Sequence, residues 1–367
     1  MPFSYPHFGS LNYIFEVIFR EIGRNDLIIP NKPSKKTIQL GARYSPEFVC
    51  TPFKMTLGTF IESLNRGATE LGMGGGNGYC RFRYYWFVQK LILEDLGYDC
   101  KFVTFDYEDP LQLLRTFKNA GKDVNYLQTF RAFRYAWVKN RLTDKVDELL
   151  YKYRTIESEK GVSEKFAEKL YRDIVEIKGF RNCRKFLRNL PEIFEQEIDV
   201  IRDTDPLKIA INGEVYVVLE PALNLDINKR LNELGVITKA TVTLRKFLDI
   251  GQRLNPFYKM EHEKAIKYSR KYVPYNIGGE TRENLGDVIL YKKKGWDGLI
   301  HLYPFTCMPE IITRSIFPQV SRDYDMPVLS LVLDEHTGEA GYQTRLEAFV
   351  DLLKRRRDIL REKKRLT

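Results

Sequence analysis

The sequence lacks any apolar run near the roughly 20 residues that a membrane-spanning helix requires, so a membrane partner is not expected. Histidine is scarce: His7, His262, His301 and His336 are the only four, and no two stand four residues apart. Without HExxH or CxxC, hydrolytic or structural zinc chemistry has little support. The chain also has no G-x-S-x-G nucleophile elbow and no Gly-Lys-Ser/Thr phosphate loop, which argues against α/β-hydrolase chemistry and against ATP binding by that route. The glycine-rich stretch "GMGGGNGYC" fails the dinucleotide frame G-x-G-x-x-G: counted from Gly72 its last position is Asn77, and counted from Gly74 it is Tyr79. An export signal is missing as well, since "MPFSYPHFGSLNYIF" has no basic segment followed by an apolar core and a small-residue cleavage site. A cytoplasmic protein is the expectation.

What is present fits a soluble globular chain of two or three domains, with 367 residues, 43% hydrophobic and 29% charged. The net charge of +10 suggests nucleic acid, but the last 14 residues, "KRRRDILREKKRLT", hold eight basic and two acidic side chains. Most of the excess therefore sits on one terminal helix without a nucleic-acid-binding motif, and no nucleic-acid partner is expected. Five cysteines, Cys50, Cys80, Cys100, Cys183 and Cys307, are an odd number at wide spacing. They read as reduced thiols or metal ligands.

Residues 1–110 alternate helical and strand patterns: helices over "GSLNYIFEVIFREIG", "PEFVCTPFKMTLGTFIESLNRGA" and "RFRYYWFVQKLILEDLG", strands over "TELGM" and "CKFVTF". Residues 111–202 are charged helices with almost no strand signal, read as a helical insert or bridge. From 203 to 367 a second alternation begins, with an apolar strand in "DTDPLKIAINGEVYVVLEP" and a helix over "ALNLDINKRLNELG"; it continues through "GDVILYKKKGWDGLIHLYPFTC", with an apolar strand before Cys307, a helix over "PEIITRSIFPQVSRDY" and a strand over "MPVLSLVLDE", and ends in a basic helix. The expected fold is α/β: two flavodoxin-like or Rossmann-like lobes with parallel sheets, joined by a helical section.

Three cysteines stand where helices begin. Cys80 follows the glycine loop, Cys307 follows an apolar strand and precedes Pro309, and Cys50 precedes Pro52, a residue tolerated in a helix only in its first turn. Helix N-termini favour the thiolate, which is the metal-binding form. Three such thiolates in two lobes suggest iron and sulfur more than zinc. The alternative, that each is a small buried hydrophobe, stays open at this point and suits Cys100 and Cys183 better. Gly75, Gly76 and Gly78 would then let backbone amides approach a bulky cofactor beside Cys80.

Around these cysteines the segments "GARYSPEFVCTPFKMTLGTFIESLNRGA", "GMGGGNGYCRFRYYWFVQKLILEDLGYD", "GEVYVVLEPALNLDINKRL" and "GWDGLIHLYPFTCMPEIITRSIFPQVSRDYDMPVLSLVLDEHTGEAGYQTRLEAFVDLL" resemble the 2-hydroxyacyl-CoA dehydratase and benzoyl-CoA reductase group. The likeness is to its short activase-associated iron-sulfur branch. It implies a [4Fe-4S] cluster held by Cys50, Cys80 and Cys307, with one iron open. It further implies a separate ATP-hydrolysing iron-sulfur activator as electron donor, a substrate that is an acyl-CoA in the better-known branches, and a dimer. Lys54, Arg81, Arg83 and Arg314 would offset cluster charge or hold a CoA phosphate; ion pairs on helix faces account for them equally. Glu214, Tyr216, Glu220, Asn224, Asp334, Glu335 and His336 occupy strand-end positions where site groups or ordinary caps belong, and Gly338 and Gly341 read as hinges of a turn. Two further readings remain: a noncatalytic cluster-bearing module for electron transfer or docking, and a cluster-free α/β protein that binds an anionic ligand.

Overall fold

A computed structural model describes residues 1–76, 80–106, 109–201, 204–243 and 261–366. The chain is α/β and forms two compact units, one of residues 1–145 and 169–189, the other of 146–168 and 190–367. The helical stretch 111–202 is divided between them.

In the first unit, β1 (Phe3–Ser4), β2 (Glu70–Gly75) and β3 (Lys101–Asp106) form a parallel sheet in the order β1-β2-β3. Helices α1 (Asn12–Glu21), α2 (Lys35–Tyr44) and α3 (Thr51–Asn65) lie between β1 and β2; α4 (Tyr85–Asp95) leads to β3 and α5 (Pro110–Ala120) leaves it. The core gathers Phe53, Leu57, Phe60 and Ile61 of α3 with Leu71 and Met73 of β2 and Leu93 of α4. Burying each such side chain contributes about 1.5–3 kcal/mol. Strand β2 runs two residues beyond the "TELGM" expected from pattern, because glycines there admit aromatic rings. A Cβ on Gly72 would stand 2.5 Å from Phe3 Cζ, and one on Gly74 would stand 2.7 Å from Phe82 Cε1.

Next come the long helices α6 (Tyr126–Ile156), α7 (Val162–Glu176) and α8 (Phe180–Glu197), and each supplies residues to both units.

The second unit holds β4 (Leu207–Gly213), β5 (Val236–Ala240), β6 (Gly298–Pro304) and β7 (Val328–Leu333), all parallel, in the order β5-β4-β6-β7. Short helices α9 (Val215–Leu219), α10 (Pro221–Asn224) and α11 (Ile227–Glu233) join β4 to β5; α12 (Glu261–Ser269) and α13 (Thr281–Lys293) precede β6; α14 (Met308–Tyr324) and α15 (Glu339–Leu366) follow it. The single helix expected over residues 222–235 is broken, with Leu225 and Asp226 at φ 55° and 53°. Asn224 causes the break: its side-chain NH2 donates to the carbonyls of Val217 and Val218, and its Oδ1 accepts from the Ile227 amide. Gly341 lies inside α15 and not at a hinge, since the turn over "EHTG" ends where the helix begins at Glu339.

Strand order reverses between β4 and β6, which makes their carboxyl ends the switch point of this sheet. Helices α13 and α14 cover one face, where Leu285, Val288 and Ile289 pack with Phe317 and Val320 over Ala210 and Leu299. Two residues along each strand, on the same face, the register pair is Asn212 and His301. The apolar core thus gives way to polar side chains at the carboxyl edge.

Candidate functional site

In the first unit, Cys50 is the N-cap of α3, with Pro52 in its first turn, and Cys80 is the N-cap of a 3-10 helix, Arg81–Tyr84, that runs into α4. The segment over "RFRYYWFVQKLILEDLG" therefore opens as a tighter helix than its pattern predicts. The segments bearing the two cysteines pack together. The Cys50 thiol is hydrogen-bonded to the Tyr85 hydroxyl, the Tyr85 ring meets Phe53 edge-on at 5.0 Å, and Arg81 Nη1 donates to the Phe48 carbonyl at 3.3 Å. Gln89 bonds the Phe53 carbonyl and the Thr56 hydroxyl, tying α4 to α3. Cys50 is buried, whereas Cys80 is half-buried.

Gly75 is a strand residue, facing Thr104 and Trp86. Gly76 follows it at φ +106°, and a Cβ there would stand 2.4 Å from Asp106 Oδ1. Only glycine suits that backbone conformation and that approach. The carboxylate beside Gly76 has the wrong sign for a phosphate at this end of the loop. Gly78 lies outside the described residues. Lys54 and Arg83 are buried, and Arg81 is exposed.

In the second unit, Cys307 is the N-cap of α14, half-buried, and follows Thr306, which sits at φ 70°. The exposed Arg314, one helical stretch further on, stacks over the Tyr303 ring at 5.8 Å. All three cysteines picked out by sequence are thus N-caps. Cys100 and Cys183 are not: both are buried, and burial raises both thiol pKa values.

The switch point holds a polar cluster that pattern reading largely missed. Glu310, in the first turn of α14, and His301 of β6 are both fully buried, with His301 Nε2 and Glu310 Oε2 2.7 Å apart. Asn284 of α13 donates its side-chain NH2 to the same Oε2 at 3.0 Å and accepts from the Gly213 amide at 3.3 Å. The Asn284 carbonyl accepts from Asn212 Nδ2. Gly213, at φ +137°, sits where a Cβ would collide with the Leu302 carbonyl at 1.8 Å, so β4 reaches this network only with glycine at its end.

Glu214 follows as N-cap of α9, its carboxylate accepting from the Val217 amide at 2.9 Å. Glu280 caps α13, and Glu283 lies in its first turn. Desolvation pushes Glu214 up to about 7, helped by Glu310. Glu283 is pushed up to about 7 chiefly by desolvation, and Glu280 rises well above the carboxylate range through desolvation, then Glu310 and Glu214. Of the other strand-end residues, Glu220 caps the Ala222 amide, Asn224 closes two helices, Tyr216 is buried, and Asp334 holds the turn at His336 and Thr337. Glu335 lies 3.8 Å from the exposed His336.

Sequence distance hid this cluster. Glu280, Glu283, Asn284 and Glu310 carry no motif spacing, and only the order of the strands brings them to Glu214. Among the described residues, no group of three or more His, Cys, Asp or Glu side chains is arranged to hold a metal ion, and no helix is long and apolar enough to cross a membrane. Thiols are the donor type that iron-sulfur clusters take, and Cys50, Cys80 and Cys307 supply three of them at helix starts. No family model matches the chain, and no curated protein matches it.

Proposed function

We propose that the chain is the [4Fe-4S] component of an ATP-dependent low-potential reductase or dehydratase system. In this reading it accepts electrons from a separate ATP-hydrolysing iron-sulfur activator and acts on a substrate of the acyl-CoA class. The observation that carries the reading is the position of Cys50, Cys80 and Cys307: each is an N-cap, and each lies in a segment that resembles the dehydratase and reductase group. When bound, the cluster would supply one-electron chemistry and an open iron to polarise a carbonyl. Cys50, Cys80 and Cys307 would hold it. The Tyr85 hydroxyl shares a hydrogen bond with the Cys50 thiol, and the Tyr85 ring is packed by Phe53 and Phe82.

Iron and sulfide analysis of protein purified without oxygen tests the proposal. Four irons per chain are expected, lost on Cys50→Ala, Cys80→Ala or Cys307→Ala and kept on Cys100→Ala or Cys183→Ala. Iron-free protein from anaerobic cells, with all five variants indistinguishable by absorption spectroscopy, would sink it. ATP-dependent reduction by the activator, followed across acyl-CoA thioesters, then separates turnover from the noncatalytic electron-transfer reading. Against the anionic-ligand reading stands Asp106 beside the glycine turn.

A further inference from the structure

We propose that the paired starts of α6 and α8, both within the first unit, form a docking surface for a single-stranded polynucleotide, with arginines on its phosphates and exposed aromatic rings on its bases. The proposal goes beyond the iron-sulfur reading and does not depend on it.

Residues 124–143 and 177–191 contain no aspartate or glutamate. On α8, Arg181, Arg184, Lys185 and Arg188 are all exposed and stand at the spacing of a single helix face. On α6, Arg131 and Arg134 are exposed three residues apart. Packing brings the two rows together. The Gly179 amide donates to the Tyr135 hydroxyl at 3.1 Å, the Tyr135 ring meets Phe180 edge-on at 5.5 Å, and the Arg134 guanidinium lies over that Phe180 ring at 5.4 Å.

Ion pairing separates this surface from the basic end of α15. There Arg356 pairs with Asp325, Arg357 with Asp205 and Asp297, and Arg361 with Asp205, so the arginines are tied into the fold. Among the described residues, none of the six cations on α6 and α8 forms an ion pair, and Glu176, the carboxylate that precedes α8 in the chain, pairs with Arg20 instead. Like charges gathered on one face repel and work against the compact state. A polyanion removes that repulsion and releases its own condensed counterions on binding.

The rings identify the polyanion. Tyr126 and Phe130 are 51% and 46% exposed, and Arg134 continues their row at the same four-residue spacing. Rings beside arginines offer platforms on which bases stack, and an acidic peptide has no bases to place there. A lipid surface calls for a broad apolar face, whereas the exposed row on α8 is charged throughout. Five of the six cations are arginine, whose planar fork holds phosphate through two bonds at once. In a duplex the bases already stack on one another, so the rings select a single strand. Total charge and the missing motif gave no sign of this surface, because only the packing of α6 on α8 joins the two rows.

The test is fluorescence anisotropy of a dye-labelled, mixed-sequence single-stranded DNA titrated with the full-length chain at several salt concentrations. Affinity should fall linearly on a log scale as salt rises. Arg184→Gln combined with Arg188→Gln should weaken binding about tenfold or more in about 0.1 M salt and make the slope shallower by about 1.4, at ~0.7 for each phosphate contact. Phe130→Ser should weaken it about fivefold with the slope unchanged, since stacking releases no counterions. Lys354→Gln combined with Arg355→Gln removes the same charge from the exposed face of α15 and should leave affinity and slope as they are. Absence of binding in about 0.1 M salt overturns the proposal, as does an equal loss on the α15 change or a Phe130→Ser chain that binds like wild type. Displacement of the strand by polyglutamate or phosphatidylserine vesicles as readily as by unlabelled strand also overturns it. None of these outcomes touches the iron analysis, so the two proposals fail separately.

Discussion

Cysteine chemistry divides by position. Cys80 and Cys307 are half-buried N-caps, while Cys100 and Cys183 are buried and their thiols are raised by desolvation. The thiolate is the reactive form, so brief alkylation of the folded, metal-free chain near pH 8 should label Cys80 and Cys307 first. Mass spectrometry should find Cys100 and Cys183 modified only after denaturation; early labelling of Cys183 would contradict the burial argument. Glu214 has a signature in stability. Its folded pKa is pushed up to about 7 from 4.5, so its protonation favours the folded state at acid pH, and that contribution is lost as pH rises from about 4.5 to about 7. Glu214→Gln keeps an acceptor for the Val217 amide and removes the charge. It should match wild type near pH 4.5 and exceed it above pH 7, by up to about 3 kcal/mol for the full shift, in chemical denaturation at both values. The three N-cap cysteines were legible in sequence because Pro52, Pro309 and the glycine run mark local helix starts. Glu280, Glu283 and Glu310 were not, because a glutamate in a first helical turn looks the same whether or not another carboxyl faces it.

At the scale of elements, glycine placement carries much of the architecture. Gly213 ends β4 at φ +137° with the Leu302 carbonyl in the space of a Cβ. The colliding atom is backbone of the neighbouring strand, so Gly213→Ala strains both strands at once and should cost about 3 kcal/mol or more. A denaturant midpoint within error of wild type would refute that packing. The basic terminal helix α15 is also anchored. Arg357 donates to the carbonyls of Asp205 and Pro206 and pairs with Asp297 at 2.6 Å, and Arg361 pairs with Asp205. Arg357→Ala should lower stability by about 1–3 kcal/mol through these charge-assisted bonds, with hydrogen exchange faster at the end of α15. Periodicity located β4, β6, β7, α3, α14 and α15 because their apolar faces are regular. It missed the break at Leu225 and Asp226, since the Asn224 side chain overrides a helical pattern, and it stopped β2 short at Met73, since glycine carries no pattern.

For the molecule as a whole, two parallel sheets form in separate units, and the chain passes between those units within each of the three long helices α6, α7 and α8. Residues 146–168 and 190–202 therefore belong with the second sheet. Thr155 bonds the Val236 carbonyl, Arg154 bonds Asn232, and Tyr153 and Phe166 pack on Phe194. A fragment of residues 203–367 would expose the surfaces these residues cover and should be insoluble, whereas one of 146–367 should stay in solution; equal solubility on expression would count against this division. The sequence by itself determined the α/β class, the parallel sheets and the cysteines at helix starts, because alternating apolar periods, proline and glycine act over a few neighbouring residues. Only the tertiary structure decided that Glu214, Glu280, Glu283, Asn284, His301 and Glu310 share one edge. Strand order sets which carboxyl ends stand side by side, and burial there, which no local pattern records, raises the proton affinity of Glu214, Glu280 and Glu283.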